Sequence, residues 1–371
     1  MSGKTQATGS VLAVGAGVCT LLVLLAIGLA LPGGAATRKP TGFALSSAPG
    51  EPVVRTVEFG DSRLQVSLAP GDYRLPEQAI IDWVRRSARA TATFFGRFPV
   101  SEVRISFVAV AGDDVMRAVT WADPDARIRI ALGKDISATT LKRDSTMVHE
   151  MTHLAFPDLS DTHLWLHEGI ATYVESIARA QAREITPARM WAHFVSEMPA
   201  GLPERGDQGL DDTPSEDRRY WGGALFCLTA DIEIRRRTNN RYGLRDGLRA
   251  ILEAGGTLRH TWQVERALNV GDRAVGVPVL RELFATWQSK SVSPDLDALW
   301  GQLGIRHGGG VRLVEAAPLA KIRSAITEPP QRPLLLVGPS LLYETVRDGN
   351  HAPKASRTPR AGAAGQLGAT K

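Results

Sequence analysis

The chain has 371 residues, 43% of them hydrophobic, enough to bury a sizeable core as one large domain or two small ones. Its net charge of +5 does not imply nucleic-acid binding. Lys4, Arg38 and Lys39 near one end and Lys354, Arg357, Arg360 and Lys371 near the other are seven cations without an acid among them, which leaves residues 51–351 at −2. Two cysteines exclude a disulfide framework; Cys19 lies in an apolar run, and Cys227 in a helical pattern where it reads as a buried free thiol.

Val11–Leu31 carries no charge over 21 residues, long enough to span a bilayer and longer than the usual core of a signal peptide. Small residues follow it at Gly33–Ala36. Residues 1–36 are therefore expected to be a signal peptide or an N-terminal membrane anchor, so that the protein is exported and either anchored by a single span or released by cleavage. Residues 37–52 read as a Pro/Ser/Gly linker. Val53–Phe59 and Arg63–Leu68 alternate like strands around a Gly60-Asp61-Ser62 turn, and Glu77–Phe95 has helical spacing in Ile80, Ile81, Val84, Ala88 and Phe94. Val103–Val110, Arg117–Trp121 and Arg127–Leu132 read as further strands. A small mixed sheet with one packed helix thus precedes Leu141–Phe156, which reads as an amphipathic helix ended by Pro157.

That helix contains His149-Glu150-Met151-Thr152-His153, and four of the eight histidines fall between 149 and 167. Residues i and i+4 share a helix face, so both imidazoles can bind one Zn²⁺. Glu150 lies about 100° round the helix, where it can lean over a water held by the metal and take its proton. A catalytic zinc site uses three protein ligands plus water, so a third must lie nearby. Ser160, Asp161 and Thr162 are helix-capping types, and Leu164–Arg183 reads as a second helix, antiparallel to the first because the connection is short. Glu168 would lie one turn into it, facing the imidazoles. His163, at the helix start, and His167, about 100° from Glu168, are the alternatives. Asp158 and Asp161 read as turn and cap residues.

These residues, continued by Trp165-Leu166-His167-Glu168-Gly169-Ile170-Ala171-Thr172-Tyr173-Val174-Glu175, resemble the gluzincin zinc peptidases, and within them the aminopeptidase N-like branch and the peptidase MA-like domains. The resemblance implies an α+β fold: a small N-terminal mixed β-sheet with a packed helix, then a mainly helical thermolysin-like subdomain. It implies one Zn²⁺ on His149, His153 and Glu168, with Thr172 as a partner behind the ligands. It also makes Ala118–Trp121 a candidate sheet edge along the cleft, where such enzymes pair with the substrate backbone. The 14 residues between His153 and Glu168 are fewer than that branch usually has, which costs a loop rather than a ligand.

Glu175, two turns beyond Glu168 on the same face, is either a surface charge or a partner of a zinc ligand. Pro187–Glu197 reads as a helix, and Gly201–Ser215 as a mobile polar loop rimming the cleft. Arg218–Arg237 is helical and opens Tyr220-Trp221-Gly222-Gly223-Ala224-Leu225-Phe226. This resembles a Y-x-x-G-x-x-[LF] helix of the aminopeptidase N-like enzymes, whose Tyr hydroxyl donates to the oxyanion; Tyr220 matches that position. Leu244–Leu252, Trp262–Leu268, Val279–Trp287 and Leu296–Trp300 continue a helical array, and Val311–Val314 reads as a last strand. The zinc-peptidase domain is expected over residues 53–328, β-rich over 53–140 and helical over 141–328, and residues 329–371 have the composition of a disordered tail.

The expected function is a zinc-dependent metallopeptidase acting on a peptide or protein substrate. Glu150 would be the general base and Tyr220 would stabilise the oxyanion. The membrane is contacted through the N-terminal segment, and nucleic acid is not a partner. The alternative is a catalytically inactive zinc-binding member of the fold serving as a scaffold. A membrane-embedded protease is excluded by Lys142, Arg143, Asp144 and Asp158, which flank the zinc helix. The G-[AG]-M-E-N strand that binds the substrate amine in aminopeptidases has no counterpart between Val103 and Leu132. Asp113 and Asp114 there read as turn residues.

Overall fold

The structure is a computed structural model that describes residues 51–330 and the backbone of residues 347–348. The apolar run Val11–Leu31, most of the linker and nearly all of the tail lie outside the described residues. Among the described residues no helix is long and apolar enough to cross a membrane.

Alternating apolar residues build the sheet. Strands β1 (Val53–Phe59), β2 (Ser62–Leu68), β3 (Glu102–Val110), β4 (Val115–Trp121), β5 (Arg127–Gly133) and β8 (Arg347–Asp348) are ordered β4-β5-β3-β2-β1-β8. β2, β3 and β5 run parallel, while β1 and β4 are antiparallel to their neighbours. Helix α1 (Glu77–Phe95) is the crossover between β2 and β3, entered from Pro76 and stopped by Gly96 in the left-handed conformation at φ 85. Its buried Ile80, Ile81, Val84 and Ala88 cover one sheet face, made by Leu64, Val66, Ile105, Phe107, Ile128 and Ile130. With period two, the same strands turn Arg104, Arg127 and Arg129 to the opposite face.

The expected helix Leu141–Phe156 is two helices, α2 (Ala138–Arg143) and α3 (Thr146–His153). The break is at Asp144, which is extended (φ −63, ψ 141); its carboxylate accepts from the Thr146 backbone N–H at 2.9 Å and the Thr146 hydroxyl at 3.0 Å. A side-chain acceptor for the free amides of a new helix outcompetes continuation of the old one. α3 also ends earlier than expected, and tight turns carry Leu154–Phe156 to Pro157. Met147, Met151 and Leu154 anchor α3 in the sheet's core.

Ser160 caps a 3₁₀ turn, Asp161–His163, that leads into α4 (Leu164–Gln181). Buried along nearly all its length, α4 is the central helix, packed by α1, α3 and α6 (Gly223–Arg237). Its approach to α6 leaves no room for side chains. A Cβ built on Gly169 would lie 2.3 Å from Gly223 Cα, and one on Gly223 would lie 2.3 Å from the Trp165 carbonyl oxygen.

α5 (Pro187–Glu197) and α6 belong to the second, helical core, which gathers Trp165, Tyr173, Trp191, Phe194, Phe226 and the buried thiol Cys227. α7 (Leu244–Glu253), α8 (Val264–Val275), α9 (Val279–Trp287) and α10 (Leu296–Leu303) complete it. The strand expected at Val311–Val314 shrinks to β7 (Arg312–Leu313), paired with β6 (Ile305–Arg306). Helix α11 (Ala320–Thr327) escaped the sequence reading because the centre of its buried face is an arginine. The Arg323 guanidinium donates to the carbonyls of Leu303, Gly304 and Val314.

Candidate active site

α3 holds His149 and His153 one turn apart, their ring centroids separated by 4.8 Å. α4 brings Glu168 against them, with its Oε2 3.2 Å from His149 Nε2 and 3.6 Å from His153 Nε2. Among the described residues these three form the group whose donor atoms could hold a metal ion, all within 4.8 Å of one another. Zinc bonds of 2.0–2.2 Å in tetrahedral array place donors about 3.3–3.6 Å apart, and the two imidazole nitrogens stand at that separation from the Glu168 oxygen, a donor set that fits the ion.

The ligands are themselves oriented. A step of seven residues nearly completes two helical turns, so Glu175 shares the face of Glu168. Its Oε2 lies 3.0 Å from His149 Nδ1, and its Oε1 accepts from the Ser145 hydroxyl at 2.9 Å. With Nδ1–H donating to Glu175, Nε2 keeps the lone pair that a metal needs. Glu175 is therefore the partner of a ligand and not a surface charge. Thr172 does not share that role: its hydroxyl is buried without a hydrogen-bond partner in the structure.

The electrostatics follow from burying acids and imidazoles together. Burial lowers His149, but hydrogen bonds and charge from Glu168 and Glu175 outweigh it and hold the imidazole well above its ordinary value. Burial pushes His153 down to about 3. Glu168 is held below the usual carboxylate range, the neighbouring imidazoles outweighing its desolvation. These buried carboxylates call for a cation between them.

Glu150 stands beside this cluster, 6% exposed. Its Oε2 is 2.5 Å from Thr120 Oγ1, which also lies 3.1 Å from the Glu150 carbonyl oxygen. Burial raises its carboxyl to about 7, against the pull of His149 and the Thr120 hydrogen bond, and a carboxyl poised there can take a proton and give it back. Tyr220 stacks on His149 at 5.8 Å and 20°, which sets it beside the cluster. Burial and the Glu168 and Glu150 charges push its ionisation far up, so it stays a donor. It sits in a π turn, Arg218–Gly222, rather than in the α-helix expected from Arg218 onward. Such widened turns recur at functional sites.

The other candidate ligands stand outside this group. His163 Nδ1 is 2.9 Å from Asp211 Oδ1, which also accepts from Trp165 Nε1 at 2.7 Å. Asp211 thus ties the 201–215 stretch to the start of α4. His167 is buried with its ring against Phe156, and its Nε2 has no hydrogen-bond partner among the described residues. Asp158 accepts from Thr261 Oγ1 at 3.0 Å, and Asp114 accepts from the Val115 N–H at 2.8 Å, a turn contact. β4 is the outer strand on this side of the sheet and packs on α3, so Ala118–Trp121 is a sheet edge beside the cluster. Thr120, Ser145 and Asp211 went unread in the sequence. Ser145 and Asp211 had a signal only as capping or turn types, and Thr120 none beyond its place on the candidate edge.

No family model matches the chain, and no curated protein matches it in sequence. Among solved structures, an aminopeptidase N family protein from Idiomarina loihiensis matches with a TM-score of 0.55 at 15% identity, over 69% of this chain and 50% of that one. The fold is that of the matched half of this aminopeptidase N family protein. An M1 zinc metallopeptidase from Deinococcus radiodurans is similar at a TM-score of 0.45 and 19% identity, over 67% of this chain and 54% of that one. The chain spans about half the length of these structures. Within this fold, the sheet-and-helix half ends at β4 and α3, and the helical half begins with α4. The candidate site lies where they meet.

Proposed function

We propose that the protein is a zinc-dependent metallopeptidase that hydrolyses peptide bonds at this site. The observation that carries the reading is the arrangement around Glu150: a buried carboxyl held next to a three-donor cluster that could take a metal ion, beside the outermost strand of the sheet. A structural metal site has no use for such a base. His149, His153 and Glu168 would hold Zn²⁺, which when bound supplies Lewis acidity and makes water acidic enough to deprotonate near neutrality.

The chain's own residues do the rest. Glu175 fixes the tautomer and tilt of His149. The outer edge of β4 offers backbone groups to an extended peptide. Glu150 accepts a proton from the attacking water and returns it to the leaving amine, whose departure as a neutral group completes cleavage. Tyr220 keeps its proton and donates to the oxygen on which negative charge develops. The substrate class is a peptide or protein. The uncharged Val11–Leu31 run supports export, with the protein membrane-anchored or released by cleavage.

The test is metal analysis of purified protein with digestion of a peptide library, comparing wild type with Glu150→Gln. The amide preserves size and leaves the zinc donors intact, and loss of general-base catalysis should cost about 10²–10⁴-fold in rate. Equal hydrolysis by both proteins, with equal zinc, would leave the scaffold reading in its place.

A further inference from the structure

A glutamate side chain has three rotatable bonds and a flexible reach, so a general base on a helix surface must be held by something. For Glu150 the holding group comes from 30 residues earlier, on β4. The β4–β5 register sets Thr120 opposite Ile128 and Ala118 opposite Ile130, both isoleucines fully buried. Thr120 therefore belongs to the core-directed face of its strand, while Arg117, Val119 and Trp121 alternate to the other face or its edge. On such a face valine would fit the same volume and suit the strand equally well. Thr120 is only half-buried, so water could serve its hydroxyl, yet Oγ1 has two partners, both on Glu150.

We propose that Thr120 is the positioning residue of Glu150, the side chain that aims its carboxylate beside the His149–His153–Glu168 cluster. The assignment rests on the peptidase reading for its catalytic consequence but not for its geometry. One hydroxyl has one hydrogen and two lone pairs. It is directed to Oε2 at 2.5 Å, with the Glu150 carbonyl oxygen also in reach at 3.1 Å, so the carboxylate and the helix backbone it hangs from are held by one side chain. Because Thr120 is part of β4, the strand that holds the base is also the strand whose outer edge would receive the peptide.

The experiment compares wild type, Thr120→Val and Thr120→Ser as zinc-loaded full chains of equal metal content. It measures kcat and KM on a cleaved library peptide, and crystal structures of wild type and Thr120→Val are determined. Loss of an orienting hydrogen bond should lower kcat about 10–100-fold in Thr120→Val, with KM within about 2-fold, and Thr120→Ser should recover most of the loss. In the Thr120→Val crystal the Glu150 carboxylate should leave its place beside the cluster. Wild-type kcat in Thr120→Val, failure of serine to restore it, or an unmoved Glu150 would overturn the assignment. If wild type cleaves nothing, the peptidase reading fails on its own account, and the Glu150 position in the crystals still decides for or against Thr120.

Discussion

Gly169→Ala adds one methyl group at the tightest place in the molecule. Its carbon would stand 2.3 Å from both Cα and the carbonyl carbon of Gly223, where carbon atoms in contact rest about 3.5–4.0 Å apart. The obstacle is backbone inside a helix, so no rotamer change relieves it; α4 and α6 must separate by about 1 Å or more. Overpacking costs about 1–3 kcal/mol and sometimes more, and a rigid backbone clash belongs at the top of that range. The alanine returns about 1 kcal/mol of helix propensity. A net loss of about 2 kcal/mol should lower the melting temperature by roughly 3–4 °C in a folded body of this size. Gly301→Ala in α10 is the control, since nothing lies within 4 Å of its Cβ, and it should be neutral or mildly stabilising. The damage should also reach the site. Glu168 precedes Gly169 directly and Tyr220 lies three residues before Gly223, so separation moves Tyr220 away from the cluster of His149, His153 and Glu168. Thermal unfolding of the three proteins, with turnover under zinc saturation, makes the comparison. A Gly169→Ala protein melting within about 1 °C of wild type would refute the close-packing argument.

Glu168→Ala should abolish tight zinc binding, whereas His163→Ala should keep the metal and lose only the tie to Asp211; metal content after dialysis distinguishes them. Glu175→Gln should weaken zinc about 10–100-fold by releasing His149 Nδ1, read by competition with a chelator. Tyr220→Phe should lower kcat about 10²–10³-fold with little change in KM, because the hydroxyl is needed where charge develops; equal losses in binding and turnover would contradict that role.

Local periodicity carried most of the architecture. α1 and α5 run over Glu77–Phe95 and Pro187–Glu197, as their spacing and flanking Pro and Gly residues imply, and β1 to β5 fall within a residue or two of the alternating stretches, whereas β8 lies in the stretch read as a disordered tail, where it pairs with β1. Where local chemistry is ambiguous the reading slipped. Asp144 looks like one more charge on the exposed face of a long helix, yet its carboxylate bonded to Thr146 starts a new one. Arg323 interrupts an apolar pattern and so hid α11, though its guanidinium is what the surrounding carbonyls require.

The site divides along the same line. His149, Glu150 and His153 are legible because their relation is fixed within one helical turn. The choice among Glu168, His163 and His167 is less so, since it depends on how α4 is rotated against α3, and about 100° per residue separates a ligand from a core histidine. That rotation is set by two contacts distant in sequence. Gly169 lets α4 lie on the backbone of α6, and Asp211 holds His163 and Trp165 at the start of the helix. With α4 so turned, Glu168 and Glu175 share the face toward His149, one on Nε2 and the other on Nδ1. Thr172 stands between them in sequence and bonds to neither. The metal cluster is thus a local motif completed by a helix whose rotation is decided about 40–60 residues away, where no spacing rule within the motif could reach it.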